Sequence, residues 1–243
     1  MKSRQNRSGL LLFFSIVLTL ILTTSCTQYN AKRYNRKGLK ALKEQQYNKA
    51  ILLFSKSLKK DANYSPALFN RAIALSYSRH PEAAIRDLNQ VILSNKNHPR
   101  AFYNRAMLYE NQFKYIKAIN DYTQAIKLDP TNLHAVHYRA VCRYYLKDYN
   151  GAIKDYSDAI KKGLNSSGIF FNLAVSYDCT NNYTEAIKNY SKALNIDKKL
   201  ARGYYTRGVV YLKTGKLDSA KSDLKKASKL GHQKSKEILS SLQ

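Results

Sequence analysis

Residues Pro99 to Asn132 read PRAFYNRAMLYENQFKYIKAINDYTQAIKLDPTN. In the second half Ile116, Ile119, Tyr122, Ala125 and Ile126 step by three, three, three and one, which lays one apolar stripe along a helix. Phe102 to Tyr109 repeats the pattern in the first half, with Asn111 and Gln112 between the halves and Pro130 after the second. The stretch predicts helix, short turn, helix within 34 residues.

The same step of 34 runs through the chain. Ala50, Ala84, Ala118, Ala152, Ala186 and Ala220 form one column. Four residues later stand Phe54, Leu88, Tyr122, Tyr156, Tyr190 and Leu224. Seven later stand Ser57, Val91, Ala125, Ala159, Ala193 and Ala227, and twelve earlier Gly38, Ala72, Ala106, Ala140, Ala174 and Gly208. Six copies in register without an insertion make this an internal repeat, which takes precedence over any local secondary-structure reading. Pro66, Pro81, Pro99 and Pro130 all fall at junctions, where a missing N–H is least disruptive. The Gly38 and Ala118 columns bring small side chains to both helices of a unit, so their axes can approach to roughly 8 Å. The aromatic column fills the space beside them and explains much of the count of 20 Tyr.

This pattern resembles the tetratricopeptide repeat family over residues 31–234, as six tandem 34-residue units. Phe102, Ala106, Tyr109, Ala118, Tyr122, Ala125 and Pro130 carry the match in its clearest copy. The resemblance implies an all-α, right-handed solenoid of six helix pairs. Residues 232–243 read as a C-terminal capping helix, with Ile238, Leu239 and Leu242 on one side, because a terminal repeat leaves an apolar face to cover. The sequence departs from the family where a Leu usually precedes the first small residue. Here stand Lys37, Arg71, Arg105, Arg139, Leu173 and Arg207, and sixteen residues on Leu53, Asp87, Asp121, Asp155, Asn189 and Asp223. Copies with Arg have Asp, and copies without it do not. The reading is an Arg–Asp pair between the helices of a unit; the alternative is solvated surface residues shared by duplication.

Lys2, Arg4 and Arg7 precede an apolar run from Leu10 to Leu22, the pattern of a secretory signal. A spanning helix needs roughly 20 apolar residues, so the run is short for one. Its end, Leu22-Thr23-Thr24-Ser25-Cys26, resembles a bacterial lipoprotein signal, although Thr23 stands where Leu is commonest. The resemblance implies that residues 1–25 are removed, that Cys26 is lipidated as the new N-terminus, and that residues 26–30 form a short linker. The localisation implied is an exported protein anchored in the bacterial cell envelope. A plain cleaved signal or a short uncleaved anchor is the alternative.

No phosphate-binding loop, HExxH, GxSxG or paired CxxC occurs in the chain, so no catalytic residue, cofactor or metal site is assigned. Three Cys cannot make a disulfide framework. His134 and His137, three apart on one helix, have no third ligand near them in sequence. In this family the stacked first helices line a concave groove, which here would carry Asn35, Phe69, Tyr103, His137, Phe171 and Tyr205, backed by Leu39, Ile73, Met107, Val141, Val175 and Val209. Asn70, Asn104, Asn172, Lys32, Arg100 and Arg202 lie beside them. Rings give contact area and amides bond main chain, so an extended protein segment is the expected partner; the alternative is that several of these rings belong to the core between repeats. The family's carboxylate clamp is incomplete, because Leu39 and Ile73 occupy its partner slots.

Lys and Arg number 42 against 16 Asp and Glu, a net charge of +26. Lys56, Lys59, Lys127, Lys154, Lys161, Lys188, Lys192, Lys221, Lys225, Lys226 and Lys229 fall on second helices. This gives an alternative function: a basic outer face that binds anionic lipid or glycan, reinforcing a lipid anchor. The export signal argues against a nucleic-acid partner. The leading expectation is a membrane-anchored, non-enzymatic scaffold in envelope assembly.

Overall fold

A computed structural model of the chain describes residues 27–242. The signal reading of residues 1–25 and the lipidation of Cys26 lie outside the described residues. Within them the chain is helix and turn without a strand, the all-α solenoid class that the repeat implied. The described residues divide into two compact units, 27–108 and 109–242, and the division falls inside one helix.

The first unit holds α1 (27–43), α2 (Tyr47–Lys60), α3 (Ser65–Tyr77), α4 (Pro81–Ser94) and most of α5 (Pro99–Asn111). Ala41, Ala50, Phe54 and Ala74 form one buried cluster, and Leu68, Phe69, Ala72, Leu75, Ala84, Leu88 and Val91 belong to a second. Ser57, where the other copies have Ala or Val, is fully buried and donates from Oγ to Ala31 O at 2.7 Å.

The second unit continues with α6 (Tyr115–Leu128), α7 (Leu133–Tyr145), α8 (Tyr149–Lys161) and α9 (Ser167–Cys179). After these come α10 (Tyr183–Ile196), α11 (Ala201–Lys213), α12 (Leu217–Lys229) and α13 (Gln233–Ser241). Tyr156 and Tyr190 are buried against the small columns Ala140, Ala152, Ala174, Ala186 and Ala193. Helix α13 packs on α12, with Ser235 buried.

The turn inside each helix pair uses a device that residue types did not announce. Gln45, Arg79, Phe113, Lys147, Asn181 and Gly215 stand 34 apart, and all have φ between 58° and 72°. The next residue's amide then donates five residues back, as in Lys114 to Tyr109 O and Asp148 to Arg143 O, closing the first helix. Glycine fills this left-handed position in one of the six. In the other five, repeat packing holds a side chain in a backbone region that costs about 1–2 kcal/mol. At the ends of second helices Asp61, Asn95, Asp129 and Asp197 accept from the amide two residues on, and so close the chain into the next unit.

The Arg–Asp inference is met by bidentate pairs. Arg71 Nε and Nη2 donate to Asp87 at 2.7 and 2.8 Å, Arg139 to Asp155 at 2.9 and 2.7 Å, and Arg207 to Asp223 at 2.7 and 2.8 Å. Each Arg also reaches back. Nη1 donates to Ser55 from Arg71, to Thr123 from Arg139 and to Ser191 from Arg207, sixteen residues earlier each time. Arg105 Nη1 likewise donates to Asn89 at 2.7 Å. One guanidinium therefore ties its own helix pair to the pair before it. Burial disfavours the charge on Arg207, but Asp223 outweighs it and holds that pKa above the ordinary guanidinium value. Where Leu173 replaces Arg, Asn189 turns its amide onto Glu185 O at 2.8 Å.

Glycine in the small column is a volume choice. A Cβ on Gly38 would stand 2.5 Å from Phe54 Cε1, and the Phe54 ring is fully buried. Gly38→Ala is expected to destabilise by about 1–3 kcal/mol through overpacking. That outweighs the gain of about 1 kcal/mol from helix propensity. A urea-unfolding midpoint that rises in the variant refutes this account.

Candidate functional site

The expected groove residues fall in both units. In the first, the Phe69 ring is 8% exposed and packs between the His98 ring at 4.9 Å and the Arg100 guanidinium, whose Cζ lies 5.3 Å from the ring centre. His98 Nδ1 accepts from Ala101 N, and burial, with Arg100 adding to it, lowers the His98 pKa. Arg100 is exposed. Half-buried Asn70 donates to Asn35 Oδ1 at 3.1 Å, and Asn104 bonds back to Arg100 O at 2.7 Å. Tyr103 is half-buried on the same helix.

In the second unit the arrangement is more enclosed. Phe171, Asn172 and Arg202 meet Val141, Tyr144, Tyr145, Tyr156 and Val175 around a pocket of ≈ 390 Å³. Helix α7 supplies Val141 and the two tyrosines, α8 Tyr156, α9 Phe171, Asn172 and Val175, and α11 Arg202. Phe171 is 5% exposed and offers the pocket little more than one face, over which Arg202 Cζ stands 4.2 Å from the ring centre. Tyr145 is 58% exposed and stacks on Tyr115, with centroids 5.1 Å apart and planes 6° apart.

The Tyr144 and Tyr156 phenols stay neutral at physiological pH. Burial, with Cys179 beside it, pushes Tyr144 up to about 12. Burial also raises Tyr156, against the hydrogen bond with Asn172. Arg202 is the one charged residue among the described lining.

His137 and Tyr205 do not join this pocket. The His137 ring packs on Tyr138 and Tyr156, and its Nδ1 is buried without a hydrogen-bond partner among the described residues. Burial lowers its pKa, with His134 adding to the effect, so the ring stays neutral. Tyr205 stacks on His232 at 4.1 Å, and the His232 Nδ1 lies 3.0 Å from Ser235 Oγ, so Tyr205 helps seat the last helix. Tyr144, Tyr145 and Tyr156 were absent from the expected set. The signal was available: Tyr156 puts a hydroxyl in a column where Leu or Phe would pack as well, and Tyr144-Tyr145 places two rings at the end of α7.

Comparisons with known proteins agree on the repeat. Models of the tetratricopeptide repeat match residues 99–132 and 201–230, and a TPR repeat model matches 180–215. A search of curated protein sequences finds no match. Among solved structures, PilF of Pseudomonas aeruginosa aligns with TM-score 0.71 at 16% identity, over 88% of this chain and 99% of that one. YrrB, described as a TPR protein with an unusual peptide-binding site, aligns with TM-score 0.68 at 18% identity, over 74% and 93%. MamA aligns with TM-score 0.66 at 21% identity, over 71% and 94%. At such identities the likeness shows the fold alone.

Proposed function

We propose, from the premise that the chain is a tetratricopeptide repeat protein, that it is a non-enzymatic scaffold holding a protein segment against its first helices, anchored to a bacterial envelope membrane through Cys26. The observation that carries this reading is the pocket of ≈ 390 Å³ walled by Val141, Tyr144, Tyr145, Tyr156, Phe171 and Val175, with Asn172 and Arg202 at its polar side. It has the make-up of a binding site: mostly apolar and aromatic, with a few converging polar groups. The anchor rests on the basic start, the short apolar run and the small residues before Cys26. No helix among the described residues is long and apolar enough to cross a membrane.

Tyr145→Ala with Asn172→Ala removes an exposed ring and an amide while leaving the buried rings in place. Capture of cross-linked partners from native membranes is expected to fall about ten-fold, at low and high salt alike, while the unfolding free energy falls by only about 1 kcal/mol through the lost Asn172–Tyr156 hydrogen bond. Undiminished capture sinks the groove reading. Cys26→Ala is the control for anchoring and is expected to release the protein from the membrane fraction.

A second reading has its own observation. Lys154, Lys161, Lys188, Lys192, Lys225, Lys226 and Lys229 are all exposed on second helices. This face suits anionic lipid or glycan. Binding through it falls steeply with salt and ignores the Tyr145 and Asn172 changes.

A further inference from the structure

Two sets of arginines in this chain contrast. Arg71, Arg139 and Arg207 are closed on aspartates of their own helix pairs. Arg100 and Arg202 are different: each is exposed, each lies over the face of a buried phenylalanine 31 residues earlier, and neither meets a carboxylate among the described residues. The two couples stand three repeats apart, one in each compact unit. No other copy has a Phe followed 31 residues later by an Arg at these positions: the remaining residues there are Asn35 with Pro66, Tyr103 with His134, His137 with Gly168, and Tyr205 with Lys236.

Stacking does something specific for a guanidinium. The ring supports one planar face by cation–π attraction and leaves the edge N–H groups free to donate. That edge matches a carboxylate in a two-point contact, a geometry Lys cannot offer. Phe171 can hold Arg202 this way because it is itself 5% exposed and tilted against Tyr190 at 5.6 Å. Beside Arg202, Val141, Val175, Tyr144 and Tyr145 wall a space suited to an apolar side chain. No carboxylate among the described residues meets Arg202, and a chain with 42 basic residues against 16 acidic ones favours an acidic partner.

We propose that Arg202 over Phe171 is a specificity seat for an acidic side chain of the partner segment, next to an apolar side chain that enters the pocket. Arg100 over Phe69 is a second seat of the same kind. This rests on the groove reading and narrows it: the partner is an acidic protein segment carrying an apolar anchor.

The test uses the full chain and three fluorescein-labelled octapeptides in polarisation titrations. One has a central Phe flanked by Asp in a Gly/Ser background, one has Asn for Asp, and one has Ala for Phe. The Asp peptide is expected to bind about ten-fold or more tighter than the Asn peptide. Arg202→Gln should abolish most of that ratio and leave the Asn peptide unchanged. Arg202→Lys should retain part of it, and Arg100→Gln should lower it independently. Lys225→Gln, on the outer side of α12, controls for diffuse attraction by the net charge.

Equal binding of Asp and Asn peptides overturns the proposal, as does a Lys225→Gln loss as large as that of Arg202→Gln. In those cases the groove reading survives if Tyr145→Ala still weakens both peptides. Failure of every peptide to bind overturns both.

Discussion

Asp155→Ala should lower unfolding free energy by about 3–5 kcal/mol, the largest loss expected from removing one side chain's charge in this protein. Asp155 is 2% exposed and holds two arginines. Arg139 meets it through Nε and Nη2, and Arg143 Nη1 lies 2.8 Å from Oδ2. Truncation leaves Arg139, at a side-chain exposure of 16%, with no counter-charge, and leaves Arg143, at 24%, with only the longer contact from Nε to Asp148 at 3.7 Å. Asp87 and Asp223 each close on one arginine, so Asp87→Ala and Asp223→Ala should lose less. Asp155→Asn should recover little, because its NH₂ would face donors that want an acceptor. Urea unfolding followed by helical circular dichroism ranks the four variants. A loss below about 1 kcal/mol for Asp155→Ala would class the pair with ordinary surface ion pairs and remove it as a packing element.

Tyr190→Ala should cost about 3–5 kcal/mol, the range for deleting a large buried ring. Tyr190 is 1% exposed and packs within the cluster that holds Phe171, Ala174, Ala186 and Ala193. None of these alanines can expand into the space left behind. Tyr190→Phe separates volume from hydroxyl. It keeps the ring and gives up the hydrogen bond with Thr206, so it should cost about 0.5–1.5 kcal/mol. A Phe variant as unstable as the Ala variant would mean that the hydroxyl, and not the packing, holds these helices together.

The groove positions illustrate where a repeat can be read and where it cannot. Phe171, Asn172 and Arg202 were legible, because a column places a residue at a fixed angle around its helix. Tyr145 was not, since its column also contains Tyr77, Asn111, Cys179 and Lys213 and has no single character. Phe69 and Phe171 were expected to line the groove, with burial between repeats as the alternative; they are mostly covered, and Arg100 and Arg202 lie over what remains. That cover comes from the following repeat, which a reading of one helix does not include.

What the sequence determined by itself is the fold class, the helix–turn–helix unit and the buried columns. A step of 34 puts equivalent residues in equivalent surroundings, so six weak signals add into one strong one. The Arg71–Asp87, Arg139–Asp155 and Arg207–Asp223 pairs were readable for the same reason, as a paired presence and absence. Only the tertiary structure decided three further things: the backward reach of each Arg to Ser55, Asn89, Thr123 or Ser191, the left-handed turns at Gln45, Arg79, Phe113, Lys147 and Asn181, and the arginines left over Phe69 and Phe171 without an acid. The turns depend on how closely the two helices of a pair approach and the arginine contacts on the distance between neighbouring pairs; both are set by how the small and aromatic columns interlock and not by any property of one residue.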